Sequence, residues 1–271
     1  MERDLVLGLD GAHDVQTVGG KARALAKMLA AGFSVPEGFV VSAHAFKHMT
    51  AQLQEQLLKR FDDLGADFVA VRSSAINEDG SDAAWAGQLD TYLNTHRGNL
   101  LQNIERCWES ATSARAKAYA KQKSLDVGPV AVIVQKMIQS DLSGVAFSVH
   151  PVTNNRLHMV IEAGLGLGEA IVSGEITPDT YVVHKTSGDV LELHIAEQAK
   201  KLVKSLAGEN VWELLGLEGK GQKLVDAHIA DLAGVIGKLE TFFGHPVDVE
   251  WALHKGTFYI LQSRPITTLA Q

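Results

Sequence analysis

At 271 residues, 46% hydrophobic and 21% charged, the chain has ordinary globular composition and enough length for two lobes. A net charge of −7 speaks against a general binder of nucleic acid or of anionic membrane surfaces. The single cysteine, Cys107, excludes an intramolecular disulfide, and Met1-Glu2-Arg3-Asp4 does not open a secretory leader. With residues 130–134 the longest purely apolar run, no span is expected and a cytoplasmic protein is.

In chain order, Gly19-Gly20-Lys21 fronts a helical pattern in which Ala22, Leu25, Ala26, Met28 and Leu29 form an apolar stripe closed by Gly32. A lysine beside two glycines can reach a phosphate. The P-loop pattern nevertheless fails, with Val15 in place of its first glycine and Ala22 in place of its hydroxyl residue. On this stretch alone a solvated lysine is the plainer reading. A turn at 35–38 leads to a strand at 39–41, and Phe46, Met49, Leu53 and Leu57 predict a helix over 43–61.

Residues 68–88 read FVAVRSSAINEDGSDAAWAGQ. Phe68-Val69-Ala70-Val71 has the length and branching of a buried strand, and the run is expected to leave the core at Arg72-Ser73-Ser74. A fixed guanidinium followed by small residues and the acids Glu78, Asp79 and Asp82 can handle phosphate: arginine supplies planar donors and glycine lets backbone N–H groups approach. Taken alone, a strand-end arginine paired with one of those acids is the commoner arrangement.

Leu100, Ile104, Trp108 and Ala111 predict a long helix to about 121, its stripe being core packing. After Pro129 come strands at 130–137, 145–149, 157–162, 181–184 and 190–194. The first is apolar on both faces, as a central strand should be, and runs into Gln135-Lys136-Met137. That exit could edge a base pocket or be an ordinary strand end. The cluster Gly164, Gly166, Gly168 is not a dinucleotide fingerprint, because Glu169 and Ile171 fall where the third glycine is needed; a turn between strand and helix fits better. Residues 197–243 read as largely helical.

Residues 247–253 alternate cleanly, Lys255-Gly256 turns the chain, and 257–264 return. Pairing about this turn, to within one residue of register, sets Glu250 opposite Gln262 and Asp248 opposite Arg264, sending all four to one face and Val247, Val249 and Trp251 to the other. That face can be a solvated surface with an Asp–Arg pair, or a site where a carboxylate and an amide oxygen hold Mg²⁺ while the arginine neutralises phosphate.

Together these stretches resemble the N-terminal ATP-binding domain of the phosphoenolpyruvate synthase, pyruvate phosphate dikinase and rifampicin phosphotransferase family, within the ATP-grasp superfamily. The motifs are Gly19-Gly20-Lys21, Val35-Pro36-Glu37-Gly38-Phe39, Val71-Arg72-Ser73-Ser74, Ala86-Gly87-Gln88, Ser143-Gly144-Val145-Ala146-Phe147, Gly166-Leu167-Gly168-Glu169, the stretch 244–251 and Leu261-Gln262-Ser263-Arg264-Pro265. The resemblance implies a mixed α/β, two-lobed ATP-grasp fold clasping a nucleotide, with lobes 1–125 and 126–271 and an antiparallel-rich sheet in the second. It implies that Lys21, Arg72 and Arg264 bind the triphosphate and that Ala86, Gly87 and Gln88 form a phosphate loop. It further implies that Gln135 and Met137 edge the adenine, that Glu169 contributes to nucleotide binding, and that Glu250 and Gln262 ligate Mg²⁺. The strands of 130–194 are expected to share one sheet with the C-terminal hairpin.

Ile76-Asn77 and Ser148-Val149-His150 depart from the family's usual residues, and the stretches between Val41 and Val69 and between Lys185 and Gly244 are shorter than its norm. None of the 11 histidines lies in a segment resembling the family's swivelling phosphohistidine domain. The expected activity is therefore a half-reaction: Mg-ATP phosphorylates a histidine on a separate domain or chain, which carries the group to an acceptor site such as one binding pyruvate. The alternative is a nucleotide-binding sensor or scaffold without transfer activity. Neither a nucleic acid nor a membrane is an expected partner.

Overall fold

In a computed structural model of the chain, residues 4–76, 90–122 and 128–267 are described. The chain forms two compact units, Met1–Met137 with Leu206–Glu209, and Ile138–Ser205 with Asn210–Gln271. Among the described residues no helix is long and apolar enough to cross a membrane.

The first unit contains β1 (Val6–Gly8), α1 (Val15–Ala30), β2 (Gly38–Val41), α2 (Ala51–Leu64), β3 (Val69–Ala75), β4 (Thr91–Thr95), α3 (Leu100–Ala111), α4 (Ala114–Gln122) and β5 (Val130–Lys136). Its sheet runs β1-β2-β5-β3-β4, with every neighbouring pair antiparallel. The expectation that β5 belongs with the C-terminal hairpin is wrong. It is the central strand of the first sheet, pairing Val132 with both Val41 and Ser73, and so residues up to Met137 belong to the first compact unit. Its apolar run does what was expected: Val130, Val132 and Val134 join α2 and α3 side chains in a core with Leu53, Leu57, Phe61, Ile104 and Trp108. On the other face α1 buries Val18, Ala22, Leu25, Ala26 and Met28.

Three local expectations also change. The strand at Phe68 does not end at Arg72; β3 continues to Ala75 because the hydroxyls of Ser73 and Ser74, both buried, find partners inside. The second helix begins at Ala51, capped by the Thr50 side chain on the Leu53 N–H, and Ala43–Ala45 is a separate 3₁₀ turn. The long helix after Leu100 is broken at Thr112 and Ser113, where the Thr112 side chain returns to the Glu109 carbonyl.

The second unit contains β6 (Leu142–Phe147), β7 (His158–Leu165), α5 (Glu169–Val172), β8 (Asp179–His184), β9 (Val190–His194), β10 (Lys200–Lys204), β11 (Asn210–Leu214), α6 (Asp226–Phe243), β12 (Val247–His254) and β13 (Thr257–Pro265). Six of its strands form the antiparallel order β13-β12-β6-β7-β8-β9. The reading of 197–243 as helical holds only for α6. Before it, β10 and β11 pair as a separate two-stranded ladder, with Lys200 Nζ 3.8 Å from the Trp212 ring centroid. Lysine and glutamate supply helix propensity there, but Gly208, Gly216, Gly219 and Gly221 interrupt it.

Asp179 and Lys223 tie this unit together from side chains that are 0% and 1% exposed. Lys223 Nζ meets Asp179 Oδ1 at 3.0 Å and also donates to the carbonyls of Ala196 and Gly219. Asp179 accepts from the backbone of Ala196 and Lys223 and from the Tyr181 hydroxyl. Every partner an ion pair needs away from water is present.

Candidate functional site

In the first unit the residues of interest meet through β3 and α1. Gly19 adopts φ 77° and ψ 170°, which breaks the helical course of α1. The helix restarts just beyond it, so Gly20 and Lys21 occupy a new first turn. A Cβ at position 19 would lie 2.4 Å from the Ser74 carbonyl oxygen, so glycine is required for both conformation and space. Ser74 Oγ accepts the Ala22 N–H at 3.2 Å. On β3, alternation puts Arg72 on the same face as Ser74, the face that α1 covers. Burial pushes the Cys107 thiol, on the α3 face, up to about 12.

Gln135 is 2% exposed, and its side-chain amide donates to the Pro36 carbonyl at 2.8 Å. The Met137 N–H donates to the Phe68 carbonyl at 3.1 Å. Both therefore sit at the end of β5, with these groups engaged inside the first unit. Ala86, Gly87 and Gln88, together with Glu78, Asp79 and Asp82, lie outside the described residues.

In the second unit the hairpin register is as the sequence predicts: Glu250 opposes Gln262 and Asp248 opposes Arg264. A bulge makes this possible. Trp251 pairs with Ile260 while Glu250 pairs with Gln262, leaving Leu261 as the extra residue. Val249 and Trp251 are fully buried on the opposite face, where α6 packs on β12 and β7. Arg264 donates from Nε to Asp248 Oδ2 at 2.7 Å, and its Nη2 stands 2.6 Å from the same oxygen.

One residue of this face was not singled out from the sequence. Glu162 pairs with Val145, and Val145 pairs with Glu250, so Glu162, Glu250 and Gln262 lie in one row across the sheet. Burial raises the Glu162 carboxyl, and the charge of Asp248 raises it further. Burial likewise raises Asp248, with Arg264 lowering it and Glu250 raising it. The available signal was an acid inside the apolar run His158–Leu165.

Glu169 opens α5 after the glycine turn, its carboxyl raised by burial and 3.3 Å from Asn210 Nδ2. The turn is fastened by Ser143 and Ser140, both donating to the Gly166 carbonyl. Gln198 bridges to Leu165 through its side-chain amide, accepting the Leu165 N–H and donating to the Leu165 carbonyl.

Among the described residues no group of three or more His, Cys, Asp or Glu side chains comes together as a metal cage. Glu250 and Gln262 nonetheless offer a hard carboxylate and an amide oxygen directly across the register. That donor set fits Mg²⁺, which commonly takes one or two protein carboxylates and fills its shell with water and nucleotide phosphate.

By fold the protein is of the mixed α/β class built on antiparallel sheets. Residues 47–271 match the model of the pyruvate phosphate dikinase AMP/ATP-binding domain, and the chain belongs to that family. It is 36% identical to a probable phosphoenolpyruvate synthase of Methanocaldococcus jannaschii, over 94% of this chain and 26% of that protein. It is also 36% identical to the rifampicin phosphotransferase of Bacillus subtilis, over 98% of this chain and 36% of that protein. The chain thus spans well under half the length of these relatives. Among solved structures it has a distant likeness to the D-alanine–D-alanine ligase of Bacillus anthracis complexed with ATP, with TM-score 0.41 and 9% identity over 94% of this chain and 57% of that one.

Proposed function

We propose that the chain binds Mg-ATP in an ATP-grasp manner and performs the first half of a dikinase-type phosphotransfer, delivering a phosphoryl group to a histidine on a separate domain or chain. Membership of an AMP/ATP-binding family supports the nucleotide. The observation that carries the catalytic part is the hairpin face, where Asp248 holds the Arg264 fork beside the facing pair Glu250 and Gln262.

Lys21, Arg72 and Arg264 neutralise the phosphates, and a guanidinium already fixed by Asp248 needs no reorganisation as charge moves onto the leaving oxygen. Glu250 and Gln262 supply oxygens to Mg²⁺, which when bound screens phosphate charge. The family resemblance assigns Ala86, Gly87 and Gln88 to phosphate binding, Glu169 to nucleotide binding, and Gln135 with Met137 to the border of the base. In the transfer an imidazole nitrogen of the acceptor histidine forms the new P–N bond as the P–O bond to the departing nucleotide breaks. Such a step depends on positioning and charge neutralisation rather than on covalent chemistry by this chain.

Titration calorimetry with ATP, with and without Mg²⁺, tests the reading, followed by phosphorylation of a supplied phosphohistidine domain. The expected result is Mg²⁺-dependent binding with little phosphate released by the chain alone. Glu250→Gln should weaken metal-dependent binding and be partly rescued by excess Mg²⁺. Arg264→Lys, which keeps charge but loses the fork, should reduce transfer more than affinity. Absence of binding at millimolar ATP would leave a scaffold role, and rapid unassisted hydrolysis would mean an ATPase that uses water.

A further inference from the structure

Ser73 and Ser74 are adjacent, buried and hydrogen-bonded, yet they do different things. Ser73 Oγ turns toward α3, 3.4 Å from the carbonyl oxygens of Asp90 and Cys107. Ser74, 0% exposed, turns the other way and meets α1. There the break at Gly19 interrupts the intrahelical ladder, and the N–H groups of the new first turn need acceptors from elsewhere. The Ser74 hydroxyl supplies one, capping Ala22 from 52 residues away in sequence. The Ser74 backbone also fills the space where a side chain at position 19 would stand.

We propose that Ser74 is a positioning residue that sets Lys21 against Arg72. Lys21 immediately precedes the capped residue on α1, and Arg72 stands two positions before Ser74 on β3, so one hydroxyl indexes one cation-bearing element against the other. A buried serine that only fills space would have no reason to cross to the one turn where the helix restarts. The inference rests on Lys21 acting as a phosphate cation, as proposed above. A phosphate group spans only a few ångströms, so a slip of the α1 turn by part of a residue would take one cation out of reach while leaving the fold intact.

The test measures the affinities of the chain for ATP and for adenosine in wild type, Ser74→Ala, Ser73→Ala, Lys21→Ala and the Ser74→Ala/Lys21→Ala double variant, each with its melting temperature. Ser74→Ala should lower ATP affinity about five-fold, the size of one lost cap, and leave adenosine affinity unchanged. Ser73→Ala should lower the melting temperature without changing the ratio of the two affinities. The double variant should bind ATP no more weakly than Lys21→Ala alone. Ser74→Cys, with a poorer acceptor of similar size, should fall between wild type and Ser74→Ala and provides the reading if the alanine variant fails to fold. Equal losses for ATP and adenosine, or full additivity with Lys21→Ala, would overturn the positioning role alone. Unchanged ATP affinity in Lys21→Ala would overturn the assignment of Lys21 and the inference with it.

Discussion

Arg264 and Asp248 meet directly across the β12–β13 register, with Nε and Nη2 of the guanidinium converging on one carboxylate oxygen at 2.7 and 2.6 Å. The pair is lopsided: the Arg264 side chain is 41% exposed and that of Asp248 only 9%. Removing the arginine strands a mostly buried carboxylate, whereas removing the acid frees a guanidinium that can turn outward. Arg264→Ala should therefore destabilise the fold by about 2 kcal/mol and Asp248→Asn by about half as much. Urea denaturation of the two variants and their combination checks this. Equal costs would mean that the carboxylate finds other donors.

The break in α1 makes a second comparison possible. Gly19 and Gly244 both hold positive φ, 77° and 73°, but a Cβ at 19 meets Ser74 at 2.4 Å while one at 244 meets nothing within 4 Å. Gly244→Ala should cost about 1 kcal/mol, the ordinary left-handed penalty. Gly19→Ala should cost roughly twice that or more, because φ 77° with ψ 170° is open essentially to glycine alone and because β3 or α1 must move as well. Denaturation midpoints of the two variants make the comparison.

Stability should also respond to pH through the raised carboxyls. Burial lifts Glu162, Glu169 and Asp248 above their ordinary values, so the native state holds protons that the unfolded chain has already lost. Their contribution is fully present below the unfolded pKa and disappears as pH rises through the folded one. Relative to wild type, Glu162→Gln should therefore gain stability as pH rises above the ordinary glutamate pKa of about 4.3. Denaturant melts at stepped pH show it as a flatter profile, and a profile parallel to wild type would remove Glu162 from the account.

Among the described residues the ion pair between Asp179 and Lys223 is the most buried. Lys223→Met should cost about 3–5 kcal/mol, because it leaves the aspartate charge without a cation. Adding Asp179→Asn should recover part of that loss. A lysine variant as stable as wild type would mean that the backbone donors and Tyr181 suffice.

Much of this molecule could be read from its residues, for identifiable reasons. β5 advertised a central position because residues 130–134 are apolar at every step, and the hairpin advertised its polar face through alternation, although the register across Lys255-Gly256 reaches it only with the one-residue bulge at Leu261. Family membership, expected from the ordered motifs, is borne out over residues 47–271. The sheet to which β5 belongs was misjudged, since periodicity reports burial but not pairing partners. Gly19 looked like a glycine at a helix start, and only Ser74, distant in sequence, shows why the helix breaks there. Glu162 escaped notice because an acid in an apolar run announces neither its row across the sheet nor its neighbours.

The bulge at Leu261 has a consequence for how β13 tolerates change. Phe258 and Ile260 pair with Leu253 and Trp251, so before the bulge even-numbered positions belong to the packed side. After it, Gln262 and Arg264 pair with Glu250 and Asp248, and even-numbered positions belong to the polar side. A saturation scan along the strand should therefore show its alternating preference for greasy and hydrophilic substituents reverse phase at a single residue. A lineage that loses Leu261 keeps the polar pairing, while one that merely straightens the strand exchanges Gln262 and Arg264 for Leu261 and Ser263.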